Sequence, residues 1–166
     1  EMAFSAMSNL TREIIQEKAH HITAAPDEDL IAVITLDAGL VKKISHDPAL
    51  CSQFIRSGTA GLTLGQTRSL ELDGADLEIV LRAIHNGAMT PVLRTTATDA
   101  DFSALYDETL RVGGTDEGWR GFGSADADST ETCNTARFFY EVLLAGNFQN
   151  ASAVRASLVS SSRSGP

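Results

Sequence analysis

Apolar residues recur at helical spacing in successive segments of the chain, and Gly, Pro and Asp separate these segments. The clearest segment starts with Asp47 and Pro48, which suit the N-cap and the first position of a helix. It ends before Gly58, a residue type common just past a helix end. Between these signals one face is apolar, with Leu50, Cys51, Phe54 and Ile55. Such a pattern predicts α-helices.

The same signals predict an all-α fold, a helical bundle of about six or seven helices. The second segment, for example, has acidic residues at its start and Lys42 and Lys43 at its end, as the helix dipole favours. Residues 1–159 are expected to form a single helical domain. Residues 160–166 contain no apolar side chain and are expected to form a flexible C-terminal tail. The predicted helices cover about 3–24, 27–43, 48–57, 73–87, 99–112, 129–146 and 150–159.

Two stretches do not follow the helical pattern. Residues 61–72 alternate apolar and polar side chains at each end, which predicts either a short β-hairpin or a loop. Residues 113–129 contain five glycines and are expected to form a long loop. Long loops within a compact domain are often functional or mobile.

Charge and hydrophobicity exclude several classes of protein. The chain has 13 basic and 22 acidic residues, a formal net charge of −9, and 43% of its residues are hydrophobic. That hydrophobic content is ordinary for a folded domain and excludes a disordered chain. The acidic balance argues against nucleic acid as a partner. No run of apolar residues approaches the ~18 that a membrane-spanning helix needs, so we expect no membrane insertion.

The two cysteines, Cys51 and Cys133, both lie on apolar faces of predicted helices. They could form a structural disulfide or remain as two buried thiols. A disulfide would indicate an oxidising compartment, which here means a periplasmic or secreted protein. Free thiols would favour the cytoplasm instead.

The Gly-rich stretch also holds Trp119, Arg120 and Phe122. Tryptophan and arginine are enriched where proteins bind each other most strongly. These three residues are therefore the predicted partner-binding site. The alternative is that Trp119 and Phe122 anchor the loop on the helical core.

No catalytic or metal-binding constellation is convincing, so we predict no catalytic residues, no bound metal and no cofactor. Glu17 and His20 have a Glu-x-x-His spacing, but a di-metal site would need a second copy. His46 and Asp47 lie close enough in sequence to Cys51 to suggest a thiol nucleophile with a base, yet Cys51 lies on an apolar face and Asp47 is better explained as a helix cap. A metal-assisted hydrolase would need folding to gather Glu17, His20 and His21 with Glu13, His46 or His85.

These observations predict a non-enzymatic protein-interaction domain. A bacterial cell-envelope binding, inhibitor or immunity-type protein would suit a small, acidic helical bundle. Its negative charge would speed docking to a basic protein partner. The alternatives are the metal-assisted hydrolase and a small-ligand carrier that holds its ligand between helices. The oligomeric state is left open.

Overall fold

The computed structural model describes residues 13–15, 17–63, 65–66, 70 and 74–163, and within them the fold is all-α, as predicted. Seven α-helices and two 3-10 helices are defined in these ranges, and no residue there belongs to a strand. The 3-10 helices are Ala19–Ala24 and Gly58–Gly61. The α-helices are α1 (Asp27–Ile44), α2 (Pro48–Ser57), α3 (Gly74–Met89), α4 (Asp99–Val112), α5 (Asp116–Arg120), α6 (Ser129–Ala145) and α7 (Ala151–Ser161).

Side-chain caps account for several helix starts. The Asp47 carboxylate accepts a hydrogen bond from the Leu50 N–H at 3.1 Å, which confirms it as the cap of α2. Asp128 caps α6 in the same way through the Glu131 N–H. Helix α4 begins with a capping box, in which the side chains of Thr98 and Asp101 bond each other's backbone N–H.

Helix α6 lies at the centre of the bundle and packs against α1, α2, α4 and α5. Its buried face joins two apolar clusters. The larger cluster contains Leu30, Ile34 and Leu105 together with Leu143 of α6. The smaller one surrounds Cys51 and Cys133. Phe122 and Tyr140 pack against both clusters, so the boundary between them is itself lined by aromatic side chains.

The prediction of one long loop at 113–129 is wrong in part, because this stretch contains the short helix α5. The Thr115 hydroxyl caps α5 by accepting a hydrogen bond from the Gly118 N–H at 3.1 Å. Gly118 is buried against α6, and a Cβ there would collide with the Thr135 hydroxyl and the Glu131 carbonyl. A five-residue helix containing glycine has little stability of its own, so packing on α6 stabilises it.

Helix α3 continues past Gly87, where the sequence predicts its end, to Met89. Gly87 is needed for a close approach instead of a helix end, since a Cβ there would collide with the His21 carbonyl of the first 3-10 helix. That 3-10 helix occupies the end of the helix predicted at 3–24. Residues 13–15 and 17–18 are α-helical, whereas residues 1–12 and 16 lie outside the described part of the chain.

The region predicted as a hairpin or loop, 61–72, shows no strand where it is described. Gly61 ends a 3-10 helix, and residues 65 and 66 are helical. Residues 64, 67–69, 71 and 72 lie outside the described ranges.

At the C-terminus, α7 extends two residues into the predicted tail, to Ser161. Beyond it the Arg163 guanidinium pairs with the Asp37 carboxylate of α1 at 2.8 Å. The structure does not describe residues 164–166. None of the helices in the described ranges is long and apolar enough to cross a bilayer.

Candidate functional site

Trp119 and Phe122, two of the three predicted partner-binding residues, are partly buried against the main core. They belong to an aromatic cluster with Tyr106, Phe139 and Tyr140. The Trp119 ring lies 5.2 Å from Phe122 and meets Phe139 edge-on at 5.9 Å between ring centroids. Phe139 in turn packs edge-on against Tyr140 at 5.1 Å. Both side chains therefore anchor the α5 region to the core, as the alternative interpretation of the sequence proposed.

Two polar contacts hold α5 in position beside this cluster. The Tyr106 hydroxyl of α4 donates a hydrogen bond to the Asp116 carboxylate at the start of α5. The Thr115 N–H, just before α5, donates to the Thr135 hydroxyl of α6 at 3.1 Å. Since α4 and α6 both hold the short helix, Trp119 has a defined place in the wall between them.

Four members of this cluster, Trp119, Phe122, Phe139 and Tyr140, form one wall of a groove open to solvent, here called the aromatic groove, with a volume of about 630 Å³. Six helices contribute to its lining, which is mainly apolar. Ligand sites for small molecules have volumes of about 300–1,000 Å³ and are predominantly apolar with a few polar groups. The groove has that size and character. Five of these helices each contribute an apolar side chain to the lining: Ile34 (α1), Ile55 (α2), Phe102 (α4), Leu143 (α6) and Leu158 (α7).

Three charged side chains also line the groove: Asp37, Arg56 and Arg120. Asp37 is paired with Arg163 through two hydrogen bonds of 2.8 and 3.2 Å. Arg120, the third predicted partner-binding residue, is exposed and pairs with Glu117 at 2.5 Å. Arg56 differs from both, because its Nη1 is buried and has no hydrogen-bond partner in the described part of the chain.

Tyr140 is the most strongly perturbed titratable group of the groove. Burial raises the pKa of its hydroxyl well above the ordinary value, and the negative charge of Asp37 raises it further, while Arg163 acts in the opposite direction. The hydroxyl therefore stays protonated at all physiological pH values. It can donate a hydrogen bond to a ligand, and it cannot act as a base.

The two cysteines lie behind the groove, in the smaller apolar cluster. The Sγ atoms of Cys51 and Cys133 are at disulfide distance, 2.04 Å apart, and join α2 to α6. Both helices line the groove, through Arg56 on α2 and Tyr140 on α6. Both cysteines are buried. A bonded sulfur is not a nucleophile, so this structure does not support the thiol chemistry considered for Cys51.

Of the candidate metal ligands, His20 and His21 lie together, with their ring centroids 4.0 Å apart. His20 Nδ1 lies 3.1 Å from the Glu17 carbonyl oxygen, and His46 Nδ1 lies 3.0 Å from the Lys43 carbonyl oxygen. These rings are thus used in local hydrogen bonds to the backbone. No group of three or more His, Cys, Asp or Glu side chains that could hold a metal occurs among the residues whose positions are described.

A second apolar surface is exposed at residues 89–93, here called the apolar segment. Leu93 is 96% exposed and Met89 68% exposed. The neighbouring Arg94 side chain is buried and anchors the segment. It donates to the carbonyls of Thr23 and Ala25 and to the Ser152 hydroxyl, at 2.6 to 3.2 Å. Leu93 is therefore presented on a well-supported backbone.

Sequence reasoning missed Arg56, Tyr140 and Leu93. An apolar run after Pro91, outside any helical pattern, could have drawn attention to Leu93. Arg56 and Tyr140 carried no such signal, because each sits at an ordinary position of a predicted helix.

No protein-family model matches the chain, and no curated protein or solved structure matches it either. The groove and the apolar segment therefore suggest function through their geometry and chemistry alone.

Proposed function

We propose that the protein binds a small, mainly apolar molecule in the aromatic groove, which makes it a ligand carrier. The observation that carries this proposal is the groove itself, with about 630 Å³ between six helices and a mainly apolar lining. Burying a ligand's apolar surface there would contribute about 25 cal/mol per Å² removed from water. The helices that form the walls are held by tertiary packing and by the cysteine pair, so the site is largely preformed.

Trp119 offers a direct test, because it is the only tryptophan in the chain and it lines the groove. Titration with 1-decanol should shift its fluorescence emission and saturate with a single binding event in calorimetry. Ethanol at the same concentrations should leave the emission unchanged. If 1-decanol produces neither an emission change nor heat, the groove does not bind apolar molecules and the proposal is wrong.

A second candidate function is the protein-interaction domain predicted from sequence, and the apolar segment is the observation that favours it. An exposed leucine on a backbone held by Arg94 loses little conformational freedom when it binds. The net charge of −9 would steer a basic protein partner to this molecule. An inhibitor or immunity-type role in the bacterial cell envelope belongs to this candidate. The Trp119, Arg120 and Phe122 site stays a prediction within it.

Site-specific photo-crosslinking separates this candidate from the ligand carrier. A photoreactive residue at Leu93 should give one defined protein adduct in cells that produce the chain. A matched probe at Ser103, an exposed position of α4, should not give that adduct. The same adducts from both positions, or none from either, would contradict a role for the apolar segment.

We further propose that the protein resides in an oxidising compartment, periplasmic or extracellular, because disulfides persist there. The support is the Cys51–Cys133 pair at disulfide distance. Alkylation of the unfolded chain followed by mass spectrometry tests this directly. Two cysteines that resist alkylation until reductant is added would support the proposal, whereas two freely alkylated cysteines would favour the cytoplasm.

A further inference from the structure

Arg56 is a charged residue of the groove with a buried nitrogen that lacks a hydrogen-bond acceptor among the described residues. It lies in the last turn of α2 and lines the groove. Its Nη1 is shielded from solvent, yet it donates no hydrogen bond to any residue that the structure describes. A guanidinium is always charged and has five N–H donors. A buried donor without an acceptor is costly and rare in folded proteins, so a partner from outside the chain would complete this site.

The balance of charge around the groove favours an anion as that partner. Asp37 is neutralised by Arg163, and Arg120 by Glu117. These two pairs together with Arg56 make three positive and two negative charges, which leaves one positive charge at Arg56. The chain as a whole carries −9. The charge at the groove therefore has the opposite sign to the net charge of the chain.

Tyr140 places a second donor, a phenol hydroxyl, in the lining of the same groove. Its hydroxyl stays protonated, because burial raises its pKa, and it can therefore donate a hydrogen bond. A carboxylate oxygen accepts hydrogen bonds from both guanidinium and phenol groups, and charge-assisted bonds of this kind are the stronger ones. Arg56 and Tyr140 line the groove together with Trp119, Phe122 and Phe139.

We infer that the ligand of the groove is an amphipathic carboxylate, a molecule with an apolar chain and one carboxylate group that binds Arg56. The inference rests on the proposed function, since it names the chemical class of the groove's ligand. The apolar chain lies along the aromatic cluster, and the carboxylate pairs with the guanidinium. A monoanion matches the single unbalanced positive charge, and a cationic head group is repelled.

The test compares three probes with the same ten-carbon chain: decanoate, 1-decanol and decyltrimethylammonium. At about pH 8 the carboxylate is fully ionised. Calorimetry with Trp119 emission as a second readout should show decanoate binding roughly tenfold or more tighter than 1-decanol. Decyltrimethylammonium should bind more weakly than 1-decanol.

Two variants assign the effect to Arg56. In Arg56→Met the preference for decanoate over 1-decanol should disappear while 1-decanol binding is kept, and Arg56→Lys should restore part of it. Arg120→Met is the matched control, because Arg120 also lines the groove but is exposed and already paired with Glu117. In Arg120→Met the preference for decanoate over 1-decanol should change less than about twofold. Because the buried Arg56 Nη1 makes no hydrogen bond to a described residue, Arg56→Met should melt at the same temperature as the wild-type protein or higher.

The outcomes separate the two proposals. Equal binding of decanoate and 1-decanol, or an unchanged preference in Arg56→Met, overturns the carboxylate inference and leaves the ligand-carrier function standing. No binding of any probe overturns both.

Discussion

The aromatic groove and the apolar segment are both apolar surfaces, but the chain builds them in opposite ways. The groove is concave and gathers side chains from six helices between α1 and α7. The segment is an exposed stretch of five consecutive residues, 89–93. Large aromatic side chains line the first, and Leu93 and Met89 dominate the second.

The difference shows that residue type alone does not decide which apolar side chains are exposed. Trp119 and Phe122 bury enough apolar area to be drawn onto the core, because that burial stabilises the fold. Leu93 stays exposed because the hydrogen bonds of Arg94 hold the backbone beside it to the surface. We therefore expect the aromatic residues of the groove to support both stability and binding, and segment residues to support binding alone.

The largest expected effect on stability comes from removing the Cys51–Cys133 disulfide behind the groove. Cys51→Ala together with Cys133→Ala should lower the free energy of unfolding by about 4 kcal/mol, because the bridge closes a loop across 82 positions. Urea denaturation followed by circular dichroism measures the loss. Reductant should produce a similar loss in the wild-type protein and none in the double variant. A wild-type protein insensitive to reductant would contradict the bridge.

The next largest effect compares alanine substitutions in the two apolar surfaces by the stability that each one loses. Trp119→Ala should cost about 3 kcal/mol, since it removes a ring packed against Tyr106, Phe122 and Phe139. Leu93→Ala should change stability by less than about 0.5 kcal/mol. Urea midpoints from circular dichroism compare the two. Similar losses in both variants would mean that the segment is part of the core.

Loss of the anchor of the apolar segment should have an intermediate effect. Arg94→Met removes hydrogen bonds to two backbone carbonyls and the ion pair with Asp27 at 2.5 Å, and we expect a loss of about 2 kcal/mol. Hydrogen exchange of the Val92 N–H, which donates to the Ala24 carbonyl at 2.8 Å, should accelerate more than exchange in α6. Arg111→Met, which removes an exposed pair with Glu108, serves as the control and should cost about 0.5 kcal/mol or less. An unchanged exchange rate at Val92 would show that Arg94 does not hold the segment.

Acid should weaken the same anchor by a smaller amount. Burial alone would raise the pKa of Asp27, but hydrogen bonds from Ser152 and Arg94 outweigh it and hold the pKa below the ordinary value. The native state therefore binds this proton less readily than the unfolded chain. The stabilisation is complete above the unfolded pKa of about 4 and is lost as pH falls through the lower, folded value.

Urea midpoints measured from about pH 6 to pH 3 should consequently fall less steeply in Asp27→Asn than in the wild-type protein. Glu28→Gln, a change at the exposed neighbouring position, is the matched control and should keep the wild-type slope. A slope unchanged by Asp27→Asn would mean that this carboxylate contributes nothing to acid sensitivity.

Local chemistry made much of the fold predictable. The cap at Asp47 and the termini of α2, α4 and α6 follow from hydrogen bonds and propensities that act within a few residues. Prediction failed where a distant contact overrode local preference. Helix α5 forms because Gly118 fits against α6, and α3 continues through Gly87 because the first 3-10 helix crosses there.

The sequence by itself thus determined an acidic, all-α chain, the positions of most of its helices and the two cysteines on apolar helical faces. Only the tertiary structure decided that Trp119 and Phe122 pack against the core and that Leu93 is exposed. It also decided that the Arg56 Nη1 is buried beside the groove with no hydrogen-bond partner among the described residues. The physical reason is the range of the forces involved. Capping and helix propensity act between neighbours in sequence, whereas burial, pairing and exposure depend on which helices meet.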